Sequence, residues 1–215
     1  MPDEKEDAAV EELNAEEATK HLTAQEWFWR GHAATDFDEQ IRLYSEAIRL
    51  KPDYPFAFQN RGDARRAKGD RDGALQDYSE AIRLKPDYPF PFHNRGNERY
   101  AKGDPQGALQ DYSEAIRLKS DFARAFYNRG NERYNQGDLQ GALQDYSEAI
   151  RLKPDFAEAF YNRGLVRQAK GDRKGANEDF KKVPLYARSL GLSFLRDLFS
   201  WNTPLTRVGP ILITY

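Results

Sequence analysis

The sequence predicts an all-α protein built as an α-solenoid, a stack of helix–turn–helix hairpins. Three observations carry this. The thirteen residues "GALQDYSEAIRLK" stand at 73–85, 107–119 and 141–153, and "YSEAIRLK" also stands at 44–51, each copy 34 residues from the next. A fixed period of that size marks an array in which no unit can bury its apolar face alone. Within the copied segment Ala74, Leu75, Tyr78, Ala81 and Ile82 recur at spacings of three and four, the apolar stripe of an amphipathic helix. Between the copies, "KGD" or "QGD" (68–70, 102–104, 136–138, 170–172) and "KPD" or "KSD" (51–53, 85–87, 119–121, 153–155) punctuate the chain. Gly closes a helix, and the Asp after it caps the next.

Taken in order, residues 1–20 are an acidic segment, expected as disordered or partly helical. Eight acids there face Lys5 and Lys20, a net charge of −6, which leaves +4 on residues 21–215. Five repeat units follow at 21–51, 52–85, 86–119, 120–153 and 154–183. The first is degenerate: Gly31 to Tyr44 is three residues shorter than Gly62 to Tyr78, so an abbreviated inter-helix turn is expected. In the last, Val183 replaces an Ala and Pro184 ends the helix early. Residues 184–200, with Leu190, Phe194, Leu195, Leu198 and Phe199 at helical spacing, are expected as a capping helix. Residues 201–215 are expected as an irregular tail, with self-association through it as one role.

These units resemble the tetratricopeptide repeat (TPR) in its bacterial form. The resemblance rests on the aromatics Phe58, Phe92, Phe126 and Phe160, each followed four residues later by Gly62, Gly96, Gly130 and Gly164. It continues in Ala74, Ala108, Ala142 and Ala176, then Tyr78, Tyr112, Tyr146 and Phe180, then Ala81, Ala115 and Ala149. It covers about 24–183 and implies a right-handed solenoid whose first helices line a concave, peptide-binding groove.

On that face the four full units differ, while their second helices are nearly copied. The varied rows give the candidate groove residues Gln59, His93, Tyr127 and Tyr161; Asp63, Asn97 and Asn131; and Tyr100, Tyr134 and Arg124. Phe56, Phe90, Glu158, Arg66, Leu165 and Gln168 complete these rows. The tyrosines are expected to be exposed, giving contact area at low entropic cost. A ladder of Asn60, Asn94, Asn128 and Asn162 has two readings: hydrogen bonds to a ligand backbone, as the family implies, or local bonds within the stack. Arg61, Arg95, Arg129 and Arg163 replace the usual Leu. They are read first as partners of Asp77, Asp111, Asp145 and Asp179, with a ligand-binding ladder as the alternative. The groove rows carry no Lys, so the carboxylate clamp by which some relatives hold chaperone tails is incomplete.

Other functions find little support. With no cysteine and three histidines (His21, His32, His93) that share no metal-ligand spacing, no metal or cofactor is expected. No Gly-rich phosphate loop or Ser/His/Asp arrangement appears, so no enzyme and no catalytic residue is expected. A net charge of −2 gives no basic field for nucleic acid, which sets an RNA-binding repeat behind the others. No apolar run reaches about 18 residues, so no membrane span is expected. The expected compartment is the cytoplasm. The expected function is a scaffold that binds a peptide or helix of another protein, with a structural spacer lacking a groove ligand as the alternative.

Overall fold

The computed structural model describes residues 22–183, which form ten helices and, among the described residues, no strand. Contacts divide the chain between Arg95 and Gly96 into two compact units. The first holds α1 (Ala24–Ala33), α2 (Phe37–Leu50), α3 (Pro55–Ala67), α4 (Arg71–Leu84) and the start of α5 (Pro89–Ala101). The second holds the rest of α5 with α6 (Pro105–Leu118), α7 (Ala123–Asn135), α8 (Leu139–Leu152), α9 (Ala157–Ala169) and α10 (Arg173–Lys181). The expected capping helix at 184–200, the tail at 201–215 and the acidic segment at 1–20 lie outside the described residues.

Local chemistry sets the helix ends. Asp36, Asp70, Asp104, Asp138 and Asp172 each cap a second helix, the carboxylate accepting from the backbone N–H three residues on at 2.8–2.9 Å. Gly69, Gly103, Gly137 and Gly171 precede four of these caps at φ of 78–84°, a left-handed conformation that side chains resist. Pro55 and Pro105 occupy first-turn positions, where a missing N–H costs nothing. Lys170, at the end of α9, donates its ammonium to Gln140 Oε1 in the preceding hairpin.

The short first hairpin differs from expectation. Its turn, 34–36, has three residues, as does the 68–70 turn, so the turn is not abbreviated. The deficit lies in the helix: α1 has 10 residues where α3 has 13. α1 ends on Ala34 in an extended conformation, with no left-handed glycine, one helical turn early. At the other end α10 stops at Lys181, and Val183 is buried where earlier units carry Ala81, Ala115 and Ala149.

Each hairpin closes on an aromatic ring against a glycine. A Cβ on Gly130 would lie 2.8 Å from Tyr146 Cε1, and one on Gly62 would lie 2.8 Å from Tyr78 Cε1, so only Gly admits the ring. The fully buried alanines Ala74, Ala108, Ala142 and Ala149 let the helices approach on either side of it.

Candidate functional site

The framework beneath the first helices is polar, and it answers the two open ladders. Arg129 donates Nε and Nη2 to the two oxygens of Asp145 at 2.9 and 2.8 Å, a bidentate fork, while Nη1 reaches Ser113 Oγ of the preceding hairpin at 3.2 Å. Its guanidinium also lies over Phe126, 5.5 Å from the ring centroid. Arg61 with Asp77, Ser45 and Phe58 repeats this arrangement, as does Arg163 with Asp179, Ser147 and Phe160. Arg95 donates to Ser79 Oγ at 3.2 Å and lies over Phe92. Arg61, Arg129 and Arg163 thus tie their hairpins to themselves and to the one before, in agreement with the structural reading, and Arg95 reaches the hairpin before it.

A second arginine row escaped the sequence reading. Arg65, Arg99, Arg133 and Arg167 each place Nη1 2.9–3.0 Å from the same buried aspartate. Their Nη1 groups also reach the carbonyls of Gly73, Gly107, Gly141 and Gly175. Their spacing of four residues after the first row was visible, but a lone Asp gave no sign that it serves two arginines.

The asparagine ladder is also internal. Asn94 donates to Asp63 at 2.9 Å, Asn128 to Asn97 at 2.8 Å and Asn162 to Asn131 at 2.8 Å, each bond joining neighbouring first helices. Asp63, Asn97 and Asn131 in turn accept from the hydroxyls of Tyr78, Tyr112 and Tyr146. Asn60 hydrogen-bonds Tyr44, whose phenol is nevertheless pushed up by burial. Burial raises the phenols of Tyr112 and Tyr146 well above their ordinary value.

Asp63 is the one acid in this row. Burial pushes its carboxyl up, against hydrogen bonds from Tyr78, Gln59 and Asn94 and the charge of Arg66. Just above the ordinary carboxylate range the folded chain therefore holds a proton that the unfolded chain has lost. Stability falls as pH rises through that window. Asp63→Asn, which copies Asn97 and Asn131, is expected to raise the urea midpoint at pH 7 and to change it less at pH 3. A midpoint lowered equally at both pH values would contradict this account.

The candidate tyrosines divide. Tyr127 is buried against Tyr146 and Phe156, its hydroxyl accepting from Asn162, and burial pushes its phenol up to about 12. Tyr161 is buried with Leu165 and Val183 beside Phe180, its phenol likewise pushed up to about 12. The expectation that these two are exposed is corrected: Tyr127 packs between Tyr146 of its own hairpin and Phe156 at the start of the next, and Tyr161 packs on Phe180 and Val183. His93 is buried as well. Tyr100 and Tyr134 are half-buried, and Gln59 donates to Asp63 while accepting from the Tyr88 hydroxyl.

What remains outward is a different row. In the first unit Phe56 is 40% exposed and Phe90 42%, with Tyr88 between them at 5.1 and 5.8 Å between ring centroids. In the second unit the matching place holds exposed Arg124 and half-buried Glu158. Among the described residues no cluster of His, Asp or Glu could hold a metal ion, and no helix is long and apolar enough to cross a membrane.

No curated protein matches the chain in sequence. Solved structures do match in fold. MamA is 24% identical, with a TM-score of 0.67, covering 74% of this chain and 93% of that one. YrrB, described as a TPR protein with an unusual peptide-binding site, is 21% identical, with a TM-score of 0.68, over 87% of this chain and 97% of its own. The first TPR of Spaghetti (RPAP3), bound to the HSP90 peptide SRMEEVD, is 23% identical, with a TM-score of 0.53, over 54% and 93%. The TPR repeat family profile matches residues 62–97, 96–131 and 130–171, together half of the chain. With its hairpins, Gly–aromatic closures and 34-residue period, the chain belongs to the TPR repeat family.

Proposed function

We propose that this chain is an interaction scaffold whose first helices bind an extended peptide or a helix of another protein, without performing chemistry. The observation that carries this reading is the contrast between rows. The asparagine and arginine rows are engaged with their own framework, whereas Phe56, Phe90 and Arg124 stand outward at one repeat position whose identity changes along the chain. Buried framework and exposed variation are how a repeat protein separates stability from recognition. The peptide sites named for YrrB and for the Spaghetti complex support a peptide as ligand.

The chemistry differs between the two units. Phe56 and Phe90, edge to face with Tyr88, offer apolar surface for aliphatic or aromatic ligand side chains. Arg124 and Glu158 offer opposite charges in the second unit. A peptide library displayed on phage tests this. Peptides selected on the native chain should lose at least about 30-fold in affinity to Phe56→Ala/Phe90→Ala, the loss of a binding hot spot of about 2 kcal/mol. The variant should stay folded, its unfolding shifted by less than the about 3–5 kcal/mol that a fully buried ring costs, since both rings are partly exposed. Peptides held equally well by the variant would remove the first-helix row from the site.

A further inference from the structure

The first hairpin has a face that every later hairpin buries. The third helical position of the later first helices is Ala57, Ala125 or Ala159, each fully buried, and seven residues on stand buried Ala64, Glu132 and Val166. The matching residues of α1, Glu26 and Ala33, are exposed, and Trp29, at the register of the asparagine ladder, is 56% exposed. Arg30, at the register of Arg61, Arg129 and Arg163, has Leu43 where the others have their aspartate. What covers this face in later hairpins is the hairpin before it.

We propose that residues 8–20 of this same chain cover it. The register carries the assignment. Residues 8–20, "AAVEELNAEEATK", stand before Ala24, the first residue of α1, as 73–85, "GALQDYSEAIRLK", stand before Pro89, the first residue of α5. In that alignment Ala9 matches fully buried Ala74, Val10 matches Leu75, Leu13 matches buried Tyr78 and Lys20 matches Lys85. Asn14 matches Ser79, the hydroxyl that accepts from Arg95 sixteen residues later, and Arg30 lies sixteen residues after Asn14. The segment runs directly into the α1 capping box at Thr23 and Glu26, so docking closes only a short connection. Its net −3, from Glu11, Glu12, Glu16 and Glu17 against Lys20, also suits a face that presents Arg30. Glu16 and Glu17, in the places of Ala81 and Ile82, mark where the likeness stops.

Since the chain has no cysteine, a pair can be introduced without background. Asn14→Cys/Arg30→Cys is expected to be joined within one chain by a short bismaleimide at least about tenfold faster than Asp3→Cys/Arg30→Cys, which lies outside the register. Equal rates would overturn the proposal, and so would cross-links that join two chains. A second measurement keeps Arg30 intact: Leu13→Asp should speed amide exchange in α1 at least about tenfold, while Glu11→Lys, in register with exposed Gln76, leaves it unchanged. Slow exchange retained in Leu13→Asp would overturn the proposal.

Discussion

Asp145→Ala is expected to destabilise the second unit by about 3 kcal/mol, the cost of breaking a buried ion pair from one side. The Asp145 side chain is 3% exposed and takes Arg129 at 2.8 Å and Arg133 at 2.9 Å. Without it two guanidinium groups, 15% and 29% exposed, lose the buried carboxylate they share. Arg133 retains the Gly141 carbonyl, whereas Arg129 keeps only Ser113 Oγ and the Phe126 ring. The double change Arg129→Leu/Asp145→Ala should therefore cost less than Asp145→Ala alone, because it removes the more buried of the two guanidinium groups that Asp145 neutralises. Urea unfolding of the two single variants and the double measures the coupling, expected at about 1–3 kcal/mol. Strict additivity would mean that the fork contributes nothing to the fold.

Tyr146→Ala should cost as much or more, about 3–5 kcal/mol, as for removing a large buried ring. Tyr146 is fully buried, packs 6.0 Å from the Tyr127 ring and donates its hydroxyl to Asn131 at 2.8 Å. Gly130→Ala in the native background drives a methyl into the same ring, at 2.8 Å from Cε1, and should cost about 1–3 kcal/mol through overpacking. In the Tyr146→Ala background the cavity accepts that methyl. Gly130→Ala should then be neutral or stabilising, since Ala also favours a helix interior over Gly. Thermal unfolding of the four proteins reads the change of sign. A Gly130→Ala cost that is the same in both backgrounds would show that the ring does not set the glycine.

The fold was legible because the repeat is written almost without change. The 34-residue period sets the hairpins, the glycines before four of the Asp caps take the left-handed φ, and the Gly–aromatic pairing is one contact, such as Gly130 against Tyr146. The first hairpin misled because sequence spacing alone does not say which element absorbs a deletion; the structure takes it from the end of α1 and keeps the turn.

The candidate groove was legible only in outline. Position along a helix told that Tyr127 and Arg124 share a face, three residues apart, but not that Tyr127 turns inward onto Tyr146 while Arg124 stays in solvent. Similarly, Asn128 has the chemistry to hold a ligand backbone, and only the placement of Asn97 beside it shows where that capacity goes. Phe56 and Phe90 belong to a row that varies between repeats, yet their exposure depends on the packing of neighbouring hairpins, which no single repeat encodes.

Recognition by the outward row and stability from the buried rows, as proposed, can be separated by mutation. The most direct test measures partner capture and unfolding together for Phe56→Ala/Phe90→Ala/Arg124→Glu and for Arg129→Leu, in a quantitative pull-down against the native chain. The first variant is expected to lose its partners while still folded, whereas Arg129→Leu is expected to lower the midpoint and keep its partners while folded. Partners lost with folded Arg129→Leu and retained by the outward-row variant would contradict this separation.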